Sequence, residues 1–427
     1  MKTNKQEISC FQHISDSLWE KFGIIAQLVE IIGQRWSFIS GKNLTKDEFA
    51  LPEKIQINDK TGIVLYDTKN NTPELINEIK TLLPKMISND TIPHNITKKE
   101  IIEFLKTKNK NKINILFLWA DVVRRQYVGD EVHIRGIIEF SNYCSKNCLY
   151  CGIRRDNKKI NRYKMDIDSI FETAKTAASL GYKTVVLQSG ETMVHPIKEI
   201  SSLIKRIKQE LNIAVTLSLG ELKYEEYELL RKAGTDRYLM RFETTDRQLF
   251  KRLKPDSDYD ARFKRLYWLK ELGFQTGSGI MIGLPGQTPE SIADDILMFK
   301  KLDLDMVGSG PFIPNPDTPL KDTAAGTLID ALKLVALTRI ITLNTHIPAT
   351  TALGTISPQG RQKALLCGAN VIMPNVTPKK YRKHYLLYPD KICVDENPPH
   401  CSRCINAMIL AAGRKIATGF GHSLKHK

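Results

Sequence analysis

HIRGIIEFSNYCSKNCLYCG, residues 133–152, joins two signals: a β-rich apolar run over 133–140, then Cys144, Cys148 and Cys151 in a C-x3-C-x2-C spacing. A tetrahedral zinc site or an ordinary iron–sulfur cluster takes four protein ligands, so this loop is one short. The run is also the first of eight of its kind. The others are TVVLQS (184–189), AVTLSLG (214–220), RYLMRFE (237–243), QTGSGIMIG (275–283), MVGSGPFI (306–313), IPATT (347–351) and NVIMPN (370–375). Helical patterns such as DIDSIFETAKTAASLG (166–181) and PESIADDILMFKKL (289–302) lie between them. Eight βα units in about 250 residues predict a TIM (β/α)8 barrel, an α/β fold, with a doubly wound open sheet as the competing reading.

A barrel places its active site where strands end and βα loops begin. Polar residues cluster at those ends: Cys144 after the first strand, Gln188, Ser189, Gly190 and Glu191 after the second, Ser218 and Glu221 after the third, Arg241 and Glu243 after the fourth, Thr350 and Thr351 after the seventh. Residues 96–132 read as helices leading into the barrel and capping its N-terminal mouth; the barrel itself occupies 133–375, and 376–427 form a C-terminal segment with a second group of cysteines. Residues 1–95 read as a small N-terminal α/β appendage. It has strand-like RWSFIS (35–40) and GIVLYD (62–67), a helix PELINEIKTLLPKM (73–86) and a polar linker SNDTIPHN (88–95). No ligand constellation occurs in the appendage, which suits a structural or partner-docking role.

The composition narrows the function classes. The 427 residues are 42% hydrophobic, enough for a packed core. Lys and Arg number 63 against 47 Asp and Glu, a formal charge of +16. These cations are scattered rather than run together with aromatics, which argues against nucleic acid and for anionic ligands or partners. Six of the eight cysteines fall into two clusters, a pattern of metal binding in a reducing compartment rather than of disulfides. Neither a secretory h-region nor a membrane-length apolar run is present, so a cytoplasmic protein is expected.

Three cysteines can hold three irons of a [4Fe-4S] cube and leave the fourth iron open. S-adenosylmethionine can bind such an iron through its amine and carboxylate, and one electron can then cleave its sulfonium bond to give a 5′-deoxyadenosyl radical. A zinc knuckle completed by a distant ligand is the alternative. The aromatic Tyr150 before Cys151 makes the loop similar to the signature of the radical S-adenosylmethionine superfamily. With VLQSGE (186–191), TLSLGE (216–221), DRYLMRFET (236–244), GLPGQT (283–288), DMVGSGPFIPNPDTPL (305–320), IPATTALGT (347–355) and GANVIMPN (368–375), the stretch from about 96 to 427 resembles the HydE family, maturation enzymes of [FeFe]-hydrogenase. Residues 1–95 lie outside that family's usual pattern.

The resemblance implies roles residue by residue. Tyr150, Gln188, Ser189, Gly190, Glu191, Ser218, Glu243 and Arg262 would hold the cofactor, with a carboxylate for ribose hydroxyls or the amine and an arginine for the methionyl carboxylate. Thr216, Ser218, Arg237, Arg241, Thr350 and Thr351 would line the lower barrel as the substrate site, walled by Met373 and Tyr388. Two arginines there call for an anion, unless they pair internally with Glu221 or Glu139. Cys393, Cys401 and Cys404, spaced C-x7-C-x2-C, match an accessory [2Fe-2S] or [4Fe-4S] site. Zinc with His400, or three free thiols, are the other readings. The basic tail AAGRKIATGFGHSLKHK (411–427) is expected to be solvated.

By the same resemblance the reaction is attack of the adenosyl radical on the sulfur of an iron-bound cysteine, in a CO- and cyanide-bearing precursor. HydG- and HydF-type maturases and an electron donor would be the partners. A biotin-synthase or methylornithine-synthase type enzyme is the second reading, and a non-catalytic metallocluster carrier the third.

Overall fold

The computed structural model describes residues 5–32, 35–41, 53–58, 61–67, 71–77, 79–80 and 96–425. In the N-terminal part, helix Lys5–Phe22 lies on an antiparallel sheet of β1 (Ile24–Ile32), β2 (Arg35–Gly41), β3 (Glu53–Asn58) and β4 (Thr61–Asp67), ordered β2-β1-β4-β3. Alternation in β1 decides the packed face: Ile24, Ala26 and Leu28 are buried in one cluster with Phe11, Ile14 and Leu18 of the helix and Ile63 and Leu65 of β4. RWSFIS and GIVLYD fall on β2 and β4. Residues 73–77 and 79–80 are helical, while the rest of the expected helix and the 88–95 linker lie outside the described residues.

The barrel strands are β5 (Glu131–Ser141), β6 (Thr184–Ser189), β7 (Ala214–Ser218), β8 (Arg237–Leu239), β9 (Gln275–Ser278), β11 (Met306–Val307), β13 (Pro348–Ala349) and β14 (Val371–Ile372). They pair in parallel in the order β11-β9-β8-β7-β6-β5-β14-β13, and the bridge between Met306 and His346 brings the two edges together. All eight expected runs therefore carry the barrel, and the open-sheet reading is set aside. Helices cover the outside through apolar stripes at helical spacing, as in Ile200, Leu203, Ile204 and Ile207 of helix Ile197–Leu211. Each such side chain contributes about 1.5–3 kcal/mol by leaving water.

Two expected strands are broken. QTGSGIMIG splits into β9 and the short β10 (Met281–Ile282), and MVGSGPFI into β11 and β12 (Gly310–Pro311), which pairs with β10. The break sits where a Cβ on Gly279 would lie 2.0 Å from the carbonyl oxygen of Gly308, so only glycine permits the approach.

The mouth at the strands' N-terminal ends is closed differently from the sequence expectation. Helices Lys98–Lys106 and Lys110–Val128 pack on the outer helices Pro289–Lys301 and Leu328–Thr342. The chain's tail fills the mouth instead. There β15 (Lys415–Ile416) pairs with β5, Arg237 donates to the carbonyls of Phe420 (2.7 Å) and Gly421 (2.8 Å), and Arg135 donates to Gly421 (3.2 Å). The tail through Lys425 is thus docked rather than solvated, because buried guanidinium groups demand acceptors that loop carbonyls supply.

Candidate active site

The three-cysteine loop leaves β5 at the opposite, C-terminal end of the barrel and is fixed by backbone bonds to distant segments. The Leu149 amide donates to the Leu253 carbonyl and the Gly152 amide to that of Leu387, each at 2.9 Å. Arg162 donates to the carbonyls of Asn142 (2.5 Å), Ile153 (2.8 Å) and Arg154 (2.6 Å), clamping both ends of the loop. Cys148 is buried, Cys144 and Cys151 are half-buried, and all three are free thiols. Burial pushes the Cys144 and Cys151 thiols up, and negative charge on their neighbours in the loop pushes them further. Among the described residues no three His, Cys, Asp or Glu side chains converge closely enough for a single metal ion. Three sulfurs on one clamped loop, coupled electrostatically to one another, are the donor type that the irons of a cluster take.

Beside the loop lies a buried ion network. Arg262, on helix Tyr259–Glu271, donates to Glu191 at 3.2 Å and Glu221 at 3.0 Å, and Lys146 reaches Glu221 at 2.9 Å. Lys254 stands 3.6 Å from the Cys148 sulfur and 3.9 Å from Glu191. Burial alone would raise the Glu191 carboxyl, but Arg262, Lys254 and Lys146 outweigh it and hold it down at about 2. Gly220 makes room: at φ 80° its missing Cβ would fall 2.3 Å from Glu191 Cγ.

Glu243 is the next element of the site. It holds a left-handed φ of 68°, costly for a non-glycine residue at about 1–3 kcal/mol. One carboxylate oxygen accepts from the Tyr150 hydroxyl at 3.3 Å, and the other lies 3.6 Å from Arg241 Nε. Neither that second oxygen nor Arg241 Nε has a hydrogen-bond partner among the described residues, and the same holds for Thr350 Oγ1. A cavity of about 180 Å³ opens here, lined by Tyr150, Cys151, Arg241, Thr350, Thr351 and Tyr388. Met281 and residues 308–313, from the broken strands, form its far wall.

The family profile of the Radical SAM superfamily matches residues 138–299. The chain is 52% identical over 325 residues to the [FeFe] hydrogenase maturase subunit HydE of Thermotoga maritima, covering 76% of this chain and 93% of that protein. The chain belongs to the HydE family of radical S-adenosylmethionine enzymes. It is 28% identical over 271 residues to the 3-methylornithine synthase of Methanosarcina acetivorans, covering 63% of this chain and 76% of the relative. In three dimensions it is similar to methylornithine synthase PylB, with a TM-score of 0.66 at 24% identity, covering 75% of this chain and 94% of that one. The maturase HydG aligns with a TM-score of 0.63 at 21% identity over 81% of this chain and 76% of the other. These two likenesses speak to the barrel fold alone.

Membership in the HydE family implies a [4Fe-4S] cluster and S-adenosylmethionine, and the Glu243 oxygen beside Arg241, which accepts no hydrogen bond among the described residues, is a polar acceptor of the kind a bound cofactor satisfies. Of the expected cofactor residues, Gln188 donates to the Tyr385 hydroxyl at 3.3 Å and pairs in register with Ser218, and the Ser189 hydroxyl donates to the Gly190 carbonyl at 2.8 Å. Of the expected substrate residues, Arg241, Thr350, Thr351 and Tyr388 share the cavity, whereas half-buried Met373 does not line it. Thr216, whose hydroxyl has no hydrogen-bond partner among the described residues, pairs in register with Arg237 deeper in the barrel. Arg237 itself serves the tail at the far mouth. The internal pairings considered for the arginines do not form: Glu221 binds Arg262 and Lys146, and Glu139 binds Lys391.

Around the second cysteine group, Cys401 and Cys404 lie on helix Pro398–Ala411, and Cys393 precedes it at a left-handed φ of 63°. The neighbouring Cys401 thiol, aided by Arg361, lowers the Cys393 thiol below its ordinary value. Cys404 is exposed. Sequence reasoning missed Lys146, Lys254 and the wall contributed by Met281 and residues 308–313. Lys254 sits in KRLKPDSD among other cations, so nothing in the sequence marks it.

Proposed function

We propose that this HydE-family chain uses its cavity to bring the sulfur of an iron-bound cysteine, in a CO- and cyanide-bearing precursor, within reach of a 5′-deoxyadenosyl radical. Cluster and S-adenosylmethionine together supply that radical when bound; Cys144, Cys148 and Cys151 would ligate three irons. The observation that carries the reading is the cavity in which Tyr150 and Cys151 face Arg241, Thr350 and Thr351. Its buried Arg241 Nε, 3.6 Å from Glu243, and Thr350 Oγ1 make no hydrogen bond among the described residues, and such groups are costly unless a polar or anionic ligand meets them. Arg241 would hold the substrate carboxylate and the threonines would orient it, with Tyr388 excluding water.

On the cofactor side, Glu243 would accept from ribose hydroxyls or the amine, Arg262 would meet the methionyl carboxylate, and Ser189, Gly190 and Glu191 would present carbonyls to the ammonium. Gln188 and Ser218 support the same layer, while Thr216 and Met373 are peripheral to it. Cys393, Cys401 and Cys404 are proposed as an accessory cluster site outside the barrel. A cytoplasmic setting, HydG- and HydF-type partners and an external electron donor complete the proposal.

The test supplies reconstituted protein, reductant and S-adenosylmethionine with the iron–cysteine product of a HydG-type maturase. An adduct of deoxyadenosine on the cysteine sulfur, seen by mass spectrometry in wild type and lost in Arg241→Ala, is the expected result. Deoxyadenosine without that adduct favours a biotin-synthase-like reaction, and no deoxyadenosine at all favours a carrier.

A further inference from the structure

Lys254 follows helix Arg247–Leu253 at its C-cap, and its side chain is almost wholly buried, 4% exposed. The backbone bond from Leu149 to Leu253 fixes the turn that carries it against the cysteine loop. Five charged groups meet here: Lys146, Lys254 and Arg262 against Glu191 and Glu221. Arg262 already satisfies Glu191 at 3.2 Å and Glu221 at 3.0 Å, and Lys146 doubles the contact to Glu221 at 2.9 Å. Glu243, which also acts on Lys254, has Arg241 at 3.6 Å, so one positive charge is left over, and a buried ammonium is costly without an anion. The nearest candidate is the Cys148 sulfur at 3.6 Å, closer to Lys254 than is Glu191 at 3.9 Å.

We propose that Lys254 is a positioning residue for the cluster: its ammonium donates an N–H···S bond to the Cys148 thiolate and makes one-electron reduction of the cluster easier. The inference rests on Cys148 being a cluster ligand. Reduction adds one electron, taken from an external low-potential donor, and no proton, so the cluster environment becomes more negative by one charge. A fixed cation and a hydrogen bond to a ligand sulfur stabilise that reduced state, both being known levers on cluster potential. Glu191 acts in the opposite sense, and Arg262 neutralises it.

The experiment reconstitutes wild type, Lys254→Gln and Lys254→Arg with iron and sulfide, counts iron, and titrates each with dithionite while following the reduced cluster by electron paramagnetic resonance. Lys254→Gln should keep four irons and lose about tenfold in the reduction equilibrium, a midpoint about 59 mV lower for one electron. Lys254→Arg should stay close to wild type. If Lys254→Gln loses iron and Lys254→Arg keeps it at the wild-type midpoint, the charge role stands. Equal midpoints in wild type and Lys254→Gln, or loss of iron in both variants, overturn it in favour of packing alone. A wild-type protein that binds no iron would instead sink the assignment of Cys148 itself, along with this inference.

Discussion

Arg237 donates to the Gly421 carbonyl at 2.8 Å, joining the first residue of β8 to the tail of the chain. Arg135 uses the same carbonyl at 3.2 Å, so two buried guanidinium groups share one plug. Burial lowers both; the charge of Arg237 lowers Arg135 further, whereas Asp236 and Asp305 oppose the fall at Arg237. Deleting residues 417–427 should strip both arginines of their tail carbonyls, leaving Arg237 with Gln275 and Thr184 and Arg135 with the Met306 sulfur, and cost about 3 kcal/mol. The check is thermal unfolding: a fall of several degrees with iron binding retained is expected, and an unchanged midpoint would show that the plug is decorative.

A pH dependence follows from Asp295 on helix Pro289–Lys301. Its carboxyl accepts from the Thr245 amide and hydroxyl at 2.5 and 2.7 Å, fixing the turn just after Glu243. Burial pushes it up to about 7, against an ordinary value of 3.8. A raised folded value means that the folded state holds the proton more tightly, so the associated stability is complete below pH 3.8 and lost as pH rises through about 7. Asp295→Asn should therefore stabilise the protein at pH 8 by on the order of 3 kcal/mol and change little at low pH. Denaturant titrations at pH 5 and pH 8 would read the difference, and equal effects at both would refute it.

Gly220→Ala would drive a Cβ to 2.3 Å from Glu191 Cγ at a left-handed φ of 80°. Displacing Glu191 breaks its contacts with Arg262 and Lys254, at a cost of about 1–3 kcal/mol. Weaker S-adenosylmethionine binding by calorimetry should accompany the loss of stability. Binding unchanged in a destabilised variant would separate Glu191 from cofactor binding.

The second cysteine group gives a contrasting expectation. Cys401→Ser removes one member of the coupled Cys393–Cys401 thiols, on a helix outside the barrel. Cofactor cleavage should persist within about twofold, since that sulfur lines neither the cavity nor the three-cysteine loop. Complete loss of deoxyadenosine production would give the second group a catalytic part.

The strand positions were legible because apolar β-rich runs and amphipathic helices alternate eight times, and each run from 133 to 375 carries a barrel strand. What sequence hid was the local geometry. GSG within QTGSGIMIG reads as strand, yet the contact of Gly279 with Gly308 breaks it and opens the cavity wall. Arg237 looks identical whether it faces a substrate or the tail, and the tail's small polar residues have no periodicity to announce a docked segment. Of the site, Arg241, Glu243, Arg262 and the threonines could be found at strand ends or by resemblance, whereas Lys254 gains its meaning only from the fold that brings it to Cys148.

Three thiolates of one loop, Cys144, Cys148 and Cys151, would leave one iron corner open to S-adenosylmethionine. The most direct test compares reconstituted wild type with Cys148→Ala under dithionite and S-adenosylmethionine, with 5′-deoxyadenosine measured by chromatography. Steady production by wild type and none by the variant is the predicted outcome; undiminished production by the variant would contradict the account.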